Sequence, residues 1–118
     1  MARKEYTRER DVERVFCERA KKMGGKAFKW TSPGNDGVPD RILILPGRPP
    51  IFVELKTDSG HPSAIQKHQM QWLADHNQTV ALVYGMSGVE ELYEMIHDGL
   101  LYEGWVYTMG KRGDDNGI

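Results

Sequence analysis

The sequence predicts an α/β fold, a small central mixed β-sheet flanked by helices in the order αβββαβα. Three observations predict it. Residues 8–23 place Val12, Val15, Phe16, Ala20 and Met23 at helical spacing. Two apolar runs, Ile42-Leu43-Ile44-Leu45 and Ile51-Phe52-Val53, follow one another across a loop rich in proline and glycine. A third run, TVALVY at 79–84, is apolar throughout, the pattern of a strand buried on both faces.

The elements follow in order. Thr7 is placed to cap the first helix, but Arg10 stands where a capping box needs an acid or glutamine, and Gly24-Gly25 ends the helix. Lys26 to Trp30 reads as a first strand, and Ser32-Pro33-Gly34-Asn35-Asp36-Gly37 as a loop. Strands follow at 39–45 and 50–56, joined by Pro46-Gly47-Arg48-Pro49-Pro50. Ser63 or Pro62 opens a helix to about His76, the strand at 79–84 comes next, and Ser87 or Gly88 starts a third helix through Ile96. One domain over 1–110 and a flexible tail over 111–118 are expected.

Composition excludes several classes of function. A chain of 118 residues with a single cysteine, Cys17, builds no internal disulfide framework and fits a reducing compartment. No apolar run approaches the roughly 20 residues that span a bilayer, and MARKEYTRERD is charged from the start, so neither a membrane span nor a signal peptide is expected. The expected location is the cytoplasm of a bacterial or phage-infected cell. Charge is uneven: residues 1–29 carry a net +5 and the remainder −6. A basic first segment suits a phosphate-contacting surface, and equally the solvated face of a helix.

The chemistry concentrates where charge interrupts the apolar runs. Asp40 heads one strand, and Glu54 and Lys56 interrupt the next. Burying an unpaired charge costs several kcal/mol, so such placement needs a reason. Residues alternate faces along a strand, which puts Glu54 and Lys56 on the side of Phe52, and Ile51, Val53 and Leu55 on the other. A hairpin turning about Arg48 would set Asp40 opposite Lys56 and diagonal to Glu54, with the Cβ atoms of the two acids about 7 Å apart. Two hard oxygen ligands at that spacing suit Mg²⁺ or Mn²⁺ rather than zinc, and a lysine beside them can hold a water; these are the parts for phosphodiester hydrolysis. An ion pair at a sheet edge accounts for the same residues.

Pro39-Asp40 followed by Glu54-Leu55-Lys56 resembles the PD-(D/E)XK nuclease superfamily. The ordered blocks Glu13, Gly24-Gly25, Ser32-Pro33-Gly34, Gly37-Val38-Pro39-Asp40-Arg41, Val53-Glu54-Leu55-Lys56 and Pro62 to Gln66 resemble, more narrowly, its VRR-NUC family, over about residues 8–97. The resemblance implies a restriction-endonuclease-like core in αβββαβ order. It implies Asp40, Glu54 and the Leu55 carbonyl as metal ligands and Lys56 at the attacking water. It brings Glu13 in from the first helix and Gln66 from the second, with Gln69 as the fallback one turn on. Lys26, Lys29, Ser32, Asn35 and Arg41 are candidate DNA contacts. The activity implied is a Mg²⁺- or Mn²⁺-dependent DNA endonuclease acting on branched DNA, such as a phage Holliday-junction resolvase. Paired incisions would require a homodimer, for which Trp72, Tyr102 and Trp105 offer apolar surface. A flap, nicking or less selective phage nuclease, and a catalytically silent DNA-binding module, are the alternatives.

Overall fold

A computed structural model describes residues 8–110. The elements are α1 (Glu9–Lys22), β1 (Lys26–Lys29), β2 (Arg41–Ile44), β3 (Ile51–Lys56), α2 (Ala64–Asp75), β4 (Thr79–Tyr84), α3 (Gly85–His97) and β5 (Trp105–Met109). The expected mixed α/β architecture is present. The Thr7 cap and the tail at 111–118 lie outside the described residues.

The sheet runs in the order β1-β2-β3-β4-β5. The first three strands form an antiparallel meander, whereas β4 and β5 each run parallel to the strand before them. Parallel neighbours need crossovers, and α2 and α3 supply them. The helices fall on opposite faces. Val12, Phe16 and Ala20 of α1 pack with Val89, Leu92 and Tyr93 of α3 over Leu43, Ile51, Val53 and Leu55. Met70, Leu73 and Ala74 of α2 cover Val80, Leu82 and Tyr84 on the other face. TVALVY is buried at all six positions because β4 has helices on both sides. Met23, expected on the apolar stripe, is the cap residue of α1 and is 36% exposed.

The fifth strand was not expected. Its residues, WVYTM, are β-branched or aromatic at four of five positions and follow Gly104, so the signal was in the sequence. Helix α3 starts at Gly85, directly after β4 and ahead of the expected Ser87 or Gly88. The hairpin register is also corrected. Arg41 faces Val53 and Leu43 faces Ile51, so the turn centres on Gly47, not Arg48. Pro46 followed by a glycine at φ +75° is the residue order of a type II turn, where only glycine takes the third position cheaply. The shift is two residues, so every side chain keeps its face, and continuing the register puts Asp40 directly opposite Glu54 rather than Lys56.

Candidate active site

Asp40 stands at a seam in the sheet. Its carbonyl accepts a hydrogen bond from the Trp30 N–H at 2.8 Å, which extends the β1–β2 ladder. On the other side the β2–β3 ladder stops at Arg41 and Val53. Leu55 therefore finds no backbone partner on that edge; its N–H donates to Asp40 Oδ2 at 3.2 Å. A strand residue's N–H and C=O point to the same edge. The Leu55 carbonyl thus faces the opened seam beside Asp40, while its side chain is buried in the core.

Glu54 is the centre of the site. It is 1% exposed. Its Oε2 accepts from Gln66 Nε2 at 3.0 Å and lies 3.4 Å from Lys56 Nζ. Its Oε1 is buried and has no hydrogen-bond partner. Burial first, then the charge of Asp40, pushes the Glu54 carboxyl up to about 7, with the Lys56 ammonium and the Asp40 backbone N–H acting against them. Asp40 is also raised above the ordinary carboxylate range. Burial is the main cause there; the Leu55 N–H and Lys56 oppose it, and Glu13 and Glu9 add to it.

Gln66 reaches Glu54 because Ser63 sets the start of α2. The Ser63 hydroxyl accepts from the Gln66 N–H at 3.2 Å, and Gln66 Oε1 accepts from the Ser63 N–H at 2.9 Å. This capping box leaves the Gln66 amide nitrogen free to donate to the carboxylate. Gln69, the fallback, is committed elsewhere, donating to the Asp36 carbonyl at 2.9 Å.

Asp40, Glu54, Leu55, Lys56 and Gln66 line one open cleft of about 400 Å³. Glu9 lines it too and was missed in the sequence. It lies one helical turn before Glu13, on the same side of α1, so spacing could have raised it. Glu13 instead holds Arg41 at 2.9 Å and acts on Asp40 through its charge. Arg41 also donates to the Ala27 carbonyl at 3.4 Å, so its guanidinium is held within the protein. Lys29 is exposed on the edge strand, and Lys26 lies over the Phe28 ring at 4.8 Å. Ser32 and Asn35 line a different pocket, beside α2. The basic character of α1 is partly absorbed locally: Arg14 pairs with Asp11 and Glu18, while Arg19, Lys21 and Lys22 occupy the last turn, where the helix dipole favours cations.

Among the described residues no three His, Cys, Asp or Glu side chains gather as a group that could by itself hold a metal ion. Two carboxylates on facing strands, one with a bare buried oxygen, beside a carbonyl at the opened seam fit a hard divalent ion that keeps several of its waters.

No family model matches the chain. A protein of Acyrthosiphon pisum secondary endosymbiont phage 1 named "Putative nuclease p44" is 39% identical over 75 residues, covering 64% of this chain and 74% of that protein. A solved "VRR_NUC domain" superposes with a TM-score of 0.65 at 28% identity, covering 75% of this chain and 94% of the other. With that relative, that structure and an αβββαβ core carrying the Asp40 and Glu54-Leu55-Lys56 blocks on facing strands, the chain belongs to the VRR-NUC family of nucleases.

Proposed function

We propose that the protein is a Mg²⁺- or Mn²⁺-dependent DNA endonuclease that hydrolyses phosphodiester bonds in branched DNA as a homodimer. The observation that carries the metal dependence is Glu54: a buried carboxylate with one oxygen tied to Gln66 and Lys56 and the other without a partner. Leaving a buried carboxylate oxygen bare is costly unless a proton or a cation completes it, and the open cleft beside Asp40 has room for the cation. Asp40 Oδ1, Glu54 Oε1 and the Leu55 carbonyl would hold the ion, whose contribution is to offset charge building on the phosphate.

The chain's own residues do the rest. Gln66 fixes the Glu54 carboxylate through its amide. The Leu55 N–H fixes Asp40. Lys56, partly exposed at the cleft wall, orients the attacking water and steadies the scissile phosphate. Glu9 and Glu13 supply negative charge at the α1 side, which favours cation entry. Paired incision of a four-way junction requires two such centres, and each chain has one, hence the homodimer.

Cleavage of matched linear, flap and four-way DNA, with and without Mg²⁺ or Mn²⁺, tests the reading. The wild type should nick the four-way substrate only with metal. Asp40→Asn and Glu54→Gln should each lower cleavage at least a hundredfold and weaken Mn²⁺ binding in calorimetry. Lys56→Ala should lose cleavage while retaining most DNA affinity, because affinity comes from distributed phosphate contacts. Full turnover in both carboxylate variants would remove this site from the chemistry.

A further inference from the structure

A second concavity, of about 540 Å³, lies between α2 and the loop 30–38. Trp30 and Trp72 line it, with Ser32, Asn35, His68 and Gln69. None of its lining residues is a lysine, arginine, aspartate or glutamate, so it is not built for a phosphate. Its walls are aromatic and apolar, and its polar side chains are two neutral amides, a hydroxyl and the His68 imidazole. Trp30 is braced by Phe52, ring centres 5.3 Å apart, and Trp72 stacks on His76 at 3.8 Å. Trp72 is nevertheless 50% exposed, an uncommon state for a braced indole.

Two amides are half-used. Asn35 donates to Ser32 Oγ at 3.0 Å, and Gln69 donates to the Asp36 carbonyl at 2.9 Å. Both bonds use the nitrogen end, leaving an acceptor oxygen on each side chain for a ligand. A flat, uncharged molecule with hydrogen-bonding edges fits such a lining.

The pocket and the nuclease centre share no lining residue but are joined by two segments of the chain. The loop that bears Asn35 continues to Asp40. Helix α2 presents Gln66 to Glu54 and, one and two turns later, Gln69 and Trp72 to the pocket. At 1.5 Å rise per residue these lie about 4.5 and 9 Å along the axis from Gln66, the span of one or two nucleotides. The loop is also seated tightly on the helix: Gly37 has φ +86°, and a Cβ there would come within 3.0 Å of the Ile65 backbone.

We propose that this pocket is a nucleobase subsite, which takes an unpaired base one or two nucleotides from the phosphate cut at the Asp40–Glu54 centre. A base inside a duplex has its edge paired and its faces stacked, so only a swung-out or unpaired base enters. The subsite therefore selects nucleic acid unpaired beside the cut, such as an open branch point or a flap. This rests on the nuclease reading above and adds to it the feature by which a substrate is chosen.

The test uses the full chain and a branched DNA carrying either thymine or an abasic residue at the unpaired position beside the cut. Binding is read without metal and cleavage with Mn²⁺. One base stacked on an aromatic ring corresponds to a gain of about fivefold to a hundredfold, so the abasic substrate should bind the wild type that much more weakly, with the loss in KM. Trp72→Ala should lose the same factor on the thymine substrate and nothing further on the abasic one, and Trp72→Phe should recover most of it. Trp72 is half-exposed, so its variants should keep the wild-type melting temperature. Equal binding of the two substrates by the wild type overturns the subsite. So does an equal loss on both substrates in Trp72→Ala, and so does a dimer that falls apart in that variant, which would make the face a contact between copies. Base discrimination without metal, combined with no cleavage under any metal, would instead overturn the nuclease reading and leave the pocket standing.

Discussion

Glu54 joins the chemistry of the protein to its stability. In the metal-free protein its folded pKa, near 7, lies above the ordinary value of 4.5, so the native state binds the proton more tightly than the unfolded chain. The linkage sign follows. Stability from this residue is full below pH 4.5 and is lost as pH rises through about 7, a loss on the order of a few kcal/mol. Asp40, also raised by burial, works in the same direction. With EDTA present, the melting temperature should therefore fall between pH 5 and pH 8, and Glu54→Gln should flatten the fall. Mn²⁺ should raise the melting temperature more at pH 8 than at pH 5, because ligands bind deprotonated. A wild-type melting temperature that rises from pH 5 to pH 8 under EDTA would contradict this account of Glu54.

At the scale of an element, α2 carries two duties through one residue. Gln66 completes the capping box with Ser63 and donates to Glu54. Ser63→Ala removes one bond of the box and should cost about 1 kcal/mol of stability. The bond from the Ser63 N–H to Gln66 Oε1 survives that change, so the amide stays aimed and cleavage should drop only a few-fold. Gln66→Ala removes the aim itself, and cleavage should fall more than tenfold for a similar loss of stability. Urea denaturation beside a nicking assay separates the two; equal activity losses would mean that Gln66 serves the helix alone. The opposite face has its own tie. The buried Tyr93 hydroxyl donates to the Phe16 carbonyl at 2.6 Å, pinning α3 to α1.

At the scale of the molecule, the sheet has β1 and β5 as its edge strands among the described residues. The β5 edge carries Trp105, 63% exposed, close to Tyr102, 61% exposed. Unpaired strand edges with large apolar side chains invite pairing with another chain. The proposed homodimer is accordingly expected to form through β5, which leaves Trp72 for substrate. Sedimentation should give about twice the 13.5 kDa chain mass. Trp105→Glu should yield a monomer that binds DNA but no longer makes paired symmetric nicks in a four-way junction. A wild type that sediments as a monomer and still makes paired nicks would refute the dimer.

The sequence by itself determined the layers of this fold and the face on which the site stands. Period-two and helical patterning are local consequences of backbone geometry, so the α/β class, the fully buried 79–84 strand and the common side of Glu54 and Lys56 were legible without contacts. The blocks around Asp40 and Glu54 made the family legible as well. Only the tertiary structure decided the register, because a turn at Gly47 and a turn at Arg48 both preserve the faces and the apolar pattern cannot tell them apart. It also decided that Glu9 enters the cleft while Glu13 is held by Arg41. Two glutamates one turn apart have the same helical phase; how the helix lies across the sheet chooses between them. The pocket at Trp72 was illegible for the same reason. Its walls are some forty residues apart in the chain, and only the crossover through α2 brings them together.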